Sequence, residues 1–450
     1  MRKGERRVLE LVILGVFCSE LIVCVATGLP IAGALVVGLV LFLGYGLWRG
    51  HAPASLARMC AEGISTAKGV LEAFVLIGIL TALWRAAGTI SEVVVVATPL
   101  VTPAVAPLAV FLLCCLMSFL TGTSFGTAAT MGVVCMTMAT SMGANALACG
   151  GAVLAGAYFG DRCSPMSSSA LLVRSVTGTD LAGNFRAMMR SAAVPLAVTL
   201  VVYGVAGVAL CPAGGTGANE TVAMLGSFFN QGPVALLPCV PVLVLPLMRV
   251  GMKRSMAVSS AIAALVCVFA RGIAPAELLR IAIFGYAPAD AQVAALMSGG
   301  GLVSMVNVAF IVCLSSSYAG LFGGTGMLDG IRAHLAALAE RITTFGAILV
   351  VVIPASMVAC NQTLGTMLAY QLCSELEPNR RAMALDLEDS VIVLSPLVPW
   401  SIACSAVVSM CGAPSACWLS AIYLWLVPLW HLICAIHERR AAPSAVSAAR

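Results

Sequence analysis

TGTSFGTAATMG (residues 121–132) and GAYFGDRCSPMSSSALLVRSVTGTD (residues 156–180) bracket a run, 133–155, that holds no charged residue. Asp161 and Arg162 then stand side by side, followed by a Ser-Pro step at Ser164 and Pro165 and four serines within six residues. Glycines, hydroxyls and a carboxylate in so apolar a stretch predict a polar cavity at membrane depth. Broken backbone is tolerated in lipid only where protein or water covers it.

Composition sets the class. The 450 residues are 61% hydrophobic and 10% charged, where soluble domains carry roughly 25% charged residues. The expected fold is therefore an all-α polytopic membrane protein. The net charge of +5 comes from short Lys/Arg clusters between apolar runs, which excludes a nucleic-acid footprint. Most of the eighteen cysteines, such as Cys114, Cys115, Cys135 and Cys267, lie inside apolar runs, and no CxxC pair occurs. With only four histidines they read as small core thiols rather than a disulfide framework or a zinc site. No cofactor is expected. The basic MRKGERR start and the apolar run after it read as a retained first helix rather than a signal peptide, given the later spans.

A spanning helix needs about 20 apolar residues. Runs at 8–28, 30–48, 69–88, 144–165 and 192–210 qualify in the first half. The second half offers 233–248, 255–271, 299–321, 387–411 and 415–437. Amphipathic segments are expected at 52–68 and 274–291, and a proline-interrupted linker at 89–107. The runs 107–143 and 343–371 are too long for one helix and are interrupted at TGTSFGT and CNQTLGT, which predicts two re-entrant hairpins. The expectation is thus about ten spans plus two hairpins in one transmembrane domain, 1–450. Basic clusters, including Arg2, Lys3, Arg6 and Arg7, place both termini in the cytoplasm, with Arg271 and Arg280 as the exceptions.

Each half has the same order of segments but starts on the opposite side. The halves are 8–210 and 233–437, joined by a linker at 211–232. The hairpins share the steps Gly126-Thr127 and Gly365-Thr366, and each is followed by a Ser-Pro step, at Ser164-Pro165 and Ser395-Pro396. Two halves of opposite orientation with matching interruptions are the pattern of secondary transporters.

GTSFGTAATMG, GAYFGDRCSPMSS and LEDSVIVLSPLVPW, with AAGTI at 86–90 and AGLFGGTGMLDGI at 319–331, resemble the NhaC-type sodium/proton antiporters of the ion transporter superfamily. The resemblance covers nearly the whole chain in order. It implies an inverted-repeat carrier that exchanges a monovalent cation for protons; some relatives exchange organic acids together with ions. Two departures stand out. Ser168 occupies the aspartate position of the family's SP-x-SDTTN motif, and Cys360-Asn361-Gln362 replaces GDQ. Two expected carboxylates are neutral here.

Asp161 is the leading ion-binding candidate and the Na+ ligand expected, since a charge at mid-helix costs roughly 2.5–3.5 kcal/mol on insertion scales. The alternative is an ion pair with Arg162 or Arg174. Glu388 and Asp389 either join the site or cap the N-terminus of the span they open. Hydroxyls at Thr123, Ser124, Thr127, Ser164, Ser168 and Ser395 and the amides of Asn361 and Gln362 complete the candidate set. Trp400 and Trp418 read as interfacial anchors.

No GxxxxGK[ST] loop occurs, which argues against an ATP-driven pump, and no His-rich or Ser/His constellation suggests a membrane-embedded enzyme. The expected activity is cation/proton antiport by alternating access; the alternative is an organic-acid or amino-acid carrier coupled to H+ or Na+. The partners expected are Na+ or Li+ with H+, or a small organic acid, and the lipid bilayer of a bacterial inner membrane; a homodimer is compatible with the sequence.

Overall fold

The computed structural model describes residues 3–27, 29–97, 101–211, 228–229, 232–248, 250–290, 293–294, 297–325 and 342–441. Most of the expected linker at 211–232, the basic cluster at 332–341 and the end of AGLFGGTGMLDGI lie outside the described residues. What is described is helical, with one isolated antiparallel bridge between Tyr286 and Gly299 and no strand. The protein is an all-α polytopic membrane protein.

Five helical stretches among the described residues are long and apolar enough to cross a bilayer: Ile31–Trp48, Lys68–Ala86, Leu181–Ala209, Leu302–Thr325 and Ser415–Arg440. A sixth is obtained if Arg380–Leu397 and Ile402–Cys411, bent by 56° at their junction, count as one span. Val12–Cys24, Ala106–Thr121 and Thr344–Ala359 are apolar but shorter. The sequence periodicity suggested more because several apolar runs are cut by backbone breaks. The run at 233–248 is a 3₁₀ turn, Gly232–Leu236, followed by the short helix Cys239–Leu247.

The central element is the helix Ala146–Cys163, buried along its length from Ala148 onward. Ala106–Thr121 packs against it more extensively than any other pair of elements meets. The reason is backbone proximity: a Cβ on Gly156 would lie 2.8 Å from the Phe111 carbonyl oxygen, and one on Gly160 would fall on the main chain of Ser118. Ser118 Oγ donates to the Gly156 carbonyl at 3.0 Å across the same seam. Small residues that let helices touch supply van der Waals contact where lipid offers no hydrophobic gain. Gly63 does the same for the crossing of Pro53–Thr66 over Val306–Thr325, where an added Cβ would lie 2.9 Å from the Gly320 amide nitrogen.

Both interrupted runs double back on themselves. In the first, Ala106–Thr121 ends on Gly122, left-handed at φ +67°, and Thr123 is extended before Ser124–Thr127 begins. A π-turn, Ala128–Gly132, leads into Val133–Ser141, which returns against the first arm. In the second, Thr344–Ala359 ends on Cys360, left-handed at φ +51°, and Asn361 is extended before Gln362–Cys373. The backbone sequence left-handed, extended, helical is therefore the same in both. The shared Gly-Thr steps fall one residue apart relative to these breaks, four and five residues on from Gly122 and Cys360 to Gly126 and Gly365 respectively. Each break also abuts the later break of its own half. A Cβ on Gly122 would lie 2.7 Å from the Met166 carbonyl, and the Cys360 carbonyl accepts from Ile402 N at 2.9 Å.

Three expectations are corrected. The linker at 89–107 contains the helix Thr89–Ala97, because its first proline, Pro99, lies beyond that helix. The expected span at 387–411 is broken at Ser390 and again by the 3₁₀ turn Ser395–Leu397, and its first helix starts earlier, at Arg380. Trp400 is not an interfacial anchor: it is 4% exposed and donates from Nε1 to the Met357 carbonyl at 2.8 Å.

Candidate ion-binding site

A cavity of about 370 Å³ opens where three helix N-termini converge on Asp161. Thr123 and Ser124 come from the start of Ser124–Thr127, Ser168 and Ser169 from Ser168–Thr177, and Gln362, Thr363 and Thr366 from Gln362–Cys373. Phe125 and Leu172 complete the wall. Ser167 caps its helix by accepting from the amides of Ser169 and Ala170, and Asn361 caps the next by accepting from Thr363 N at 2.9 Å. Helix N-termini carry partial positive charge. They stabilise a carboxylate in a cavity that, among the described residues, no Lys or Arg lines.

Asp161 is 2% exposed and holds its oxygens against donors from two other segments. Ser169 Oγ donates to Oδ2 at 2.8 Å, Gln362 Nε2 to the same oxygen at 3.2 Å, and Ser167 Oγ to Oδ1 at 3.2 Å. Gln362 Nε2 also reaches the Ile392 carbonyl at 3.2 Å, tying the second hairpin to the broken helix behind it. The Thr123 hydroxyl oxygen is buried on the cavity wall and has no hydrogen-bond partner among the described residues. A buried hydroxyl left unsatisfied costs about 1–3 kcal/mol, so its position favours a ligand oxygen or cation there.

Arg162 does not pair with Asp161. Consecutive helical residues point about 100° apart, and Arg162 turns away from the cavity to Asp389. Its Nε donates to Asp389 Oδ1 at 3.0 Å and Nη2 contacts the same oxygen. Nη1 reaches the Met188 carbonyl and Tyr423 Oη at 3.2 Å each, and Nη2 reaches Ser191 Oγ at 2.6 Å. Asp389 Oδ2 meets His431 Nδ1 at 2.9 Å, and His431 Nε2 lies 3.3 Å from Asp386 Oδ1. The imidazole stacks on Phe345 at 3.9 Å. With a carboxylate at each ring nitrogen, only the imidazolium donates to both at once. Asp386 and His431 face a second cavity of about 500 Å³, whose wall includes Thr343, Glu377, Glu438 and Arg439.

The expected residues therefore divide. Asp161, Thr123, Ser124, Ser168 and Gln362 line the first cavity. Asn361 caps a helix and lines a different cavity, with Gly63, Gly320 and Gly324. Thr127 bonds back to the Thr123 carbonyl at 2.9 Å, and Ser164 accepts from Met166 N at 3.2 Å; both serve the backbone at the breaks. Ser395 is buried near Gly365, outside the cavity wall. Glu388 and Asp389 do not open a helix. They end Arg380–Asp389, whose N-terminus Asn379 caps by accepting from Arg381 N at 3.1 Å. The alternative partner for Asp161 was an arginine, and the arginine beside it pairs with Asp389 instead. Sequence reading missed Asp386 and His431 as site residues. The Asp386/Asp389 spacing of three, which puts both on one helix face, was the available signal.

A family model described as the Na+/H+ antiporter family matches residues 11–208 and again 156–436. The malate-2H(+)/Na(+)-lactate antiporter of Bacillus subtilis is 26% identical over 407 residues, 87% of this chain and 86% of that protein. The Na(+)/H(+) antiporter NhaC of Alkalihalophilus pseudofirmus is 23% identical over 370 residues, 80% and 79% of the two chains. The arginine/ornithine antiporter ArcD of Halobacterium salinarum is 28% identical over 376 residues, 80% and 76%.

Proposed function

The chain belongs to the Na+/H+ antiporter family, and we propose that it exchanges a monovalent cation, Na+ or Li+, for protons by alternating access at the Asp161 cavity. One observation carries the reading: Asp161 is the single ionisable side chain, among the described residues, on a wall of hydroxyls and amides. A dehydrated sodium ion needs several oxygens and a negative charge. Asp161, Ser169, Thr123 and Gln362 Oε1 would supply them. A carboxylate that takes either a proton or a cation makes the two compete, and competition at a site reached alternately from each side is antiport.

The halves 8–210 and 233–437 are read as inverted repeats, each supplying one wall of the cavity. The matched left-handed, extended, helical breaks at Gly122 and Cys360 support this. We place the protein in the bacterial inner membrane with both termini in the cytoplasm.

A second reading has its own support. Three helix N-termini beside one carboxylate suit a zwitterion, carboxylate to the helix ends and amine to Asp161. The cavity of about 370 Å³ has room for one, and two relatives carry organic acids or amino acids in their names. The test is purified protein in vesicles holding a pH gradient, challenged in turn with sodium, lithium, potassium, malate and arginine. Gradient collapse with sodium or lithium, lost in Asp161→Asn, is the expected result. Collapse with malate or arginine alone would replace the first reading with the second.

A further inference from the structure

The Asp161 cavity has a neighbour of about 540 Å³, formed by the amphipathic helix Pro53–Thr66, the helix Val306–Thr325 and the second hairpin. Thr363 lines both cavities, and the two residues before it divide between them: Gln362 lines the Asp161 cavity and Asn361 lines the neighbour. Glu62 is the single ionisable side chain on the neighbour's wall among the described residues, and Thr66, Asn361 and Thr363 add polar groups. Glu62 accepts from Arg58 Nε at 2.9 Å, one helical turn back, with both side chains more than half exposed. An exposed pair of this kind is weak, so the carboxylate exchanges its partner readily. Gly323 marks the open side. A Cβ there would meet nothing within 4 Å, whereas one on Gly63, Gly320 or Gly324 would collide with the facing helix. Three of the glycines serve close packing, and the fourth borders space that packing leaves unused. Arg49 Nη2 donates to the Thr325 carbonyl at 3.2 Å, which puts Arg49 at the same end of Val306–Thr325 as this cavity. With the N-terminus placed in the cytoplasm, the crossings Lys3–Thr27 and Ile31–Trp48 return the chain to that face at Arg49.

Resting on the assignment of Asp161 as the cation site, we propose that this cavity is the cation's cytoplasmic entry vestibule, in which Glu62 gathers hydrated Na+ or Li+ and Thr363 forms the threshold to Asp161. A carboxylate in a cleft with no basic side chain on its wall raises the local cation concentration. The ion keeps its water beside Glu62 and gives it up past Thr363, where the oxygens around Asp161 replace it. Glu62 then sets how much sodium the cytoplasmic face requires. The outer face, which reaches Asp161 by another route, does not feel it.

The experiment reads the two faces separately. Sodium-driven proton flux is measured in inverted and in right-side-out vesicles, with sodium varied at one face at a time. Glu62→Gln is expected to raise the half-saturating sodium at the cytoplasmic face by roughly two- to fivefold, the reach of one exposed charge. Its maximal rate and its outer-face value stay those of wild type. In about 1 M choline chloride, where the Debye length is about 3 Å, the difference disappears. Arg58→Gln, which removes the competing cation, lowers the cytoplasmic value; a pair that only braced the helix would shift it the same way in both variants. Gly323→Phe tests the passage without touching charge. Phe is a better helix former than Gly, and its ring enters the open space and slows exchange, while Gly323→Ala leaves the rate unchanged. An unchanged cytoplasmic value in Glu62→Gln, equal shifts at both faces, parallel shifts in the Glu62 and Arg58 variants, or full-rate exchange in folded Gly323→Phe overturns the vestibule. Loss of exchange in Asp161→Asn would then leave the Asp161 reading standing. No exchange with any cation in wild type overturns both.

Discussion

Asp161 and Arg162 are chain neighbours with separate tasks, and helix geometry separates them. One side chain closes a hydroxyl-lined cavity; the other is sealed, 0% exposed, against Asp389. Breaking a buried pair by removing one partner leaves an uncompensated charge, at a cost of about 3–5 kcal/mol, whereas replacing both with apolar groups is often neutral or stabilising. Arg162→Met is therefore expected to lower thermal stability in detergent steeply. Asp389→Leu, which leaves the guanidinium with only neutral acceptors, does the same, and the Arg162→Met/Asp389→Leu double variant recovers most of the loss. Losses that simply add in the double variant would mean the two do not act as a pair. Asp161 was legible in the sequence because an acid that follows a long charge-free run is conspicuous. The Arg162–Asp389–His431–Asp386 chain was not, because its members come from three segments, the first of them more than two hundred residues from the other two. No local pattern at His431 says which helix it will face.

At the scale of elements, the breaks were easier to find than to register. TGTS announces an interruption through its glycine and hydroxyls, and Gly122 indeed adopts φ +67°. Cys360 adopts the same left-handed backbone without being glycine, which no composition rule would foresee; strain of this kind is typically of order 1–3 kcal/mol. Gly122 has less freedom than its φ alone implies. A Cβ there would sit 2.7 Å from the carbonyl of Met166, in the turn that carries Ser167 to Asp161. Gly122→Ala therefore combines backbone strain with a main-chain clash, and a loss of about 1–3 kcal/mol is expected. Its signature beyond stability is functional. Pushing Met166 and Ser167 outward loosens the donors on Asp161, so sodium affinity falls in the refolded, correctly inserted fraction. Unchanged affinity and melting temperature would show that the hairpin tip is not packed on that turn. The helix Arg380–Asp389 was misplaced for a related reason. The capping signal Pro378-Asn379 was passed over in favour of the acids at its other end, so Glu388 and Asp389 were assigned to the wrong terminus.

For the whole molecule, hydropathy identified the class at once and could not supply the span count. Apolar length is what it measures, and here apolar runs are divided among short helices, turns and doubled-back arms. The inverted-repeat reading nevertheless carries a consequence that needs no count. Two halves of opposite orientation in one chain each cross the membrane an odd number of times, so the total is even and the termini share a side. In the proposed orientation that side is the cytoplasm, which the Lys/Arg distribution favours, with Arg439 and Arg440 closing the last turn of Ile422–Ala441. An epitope tag placed at either end is expected to be protected in intact cells and digested by protease in inverted vesicles, for both ends alike. The matched breaks at Gly122 and Cys360 make the stakes specific. If the ends were found on opposite sides, the two hairpins would enter from the same face. The cavity between Thr123 and Gln362 could then not be opened alternately by rocking one half against the other.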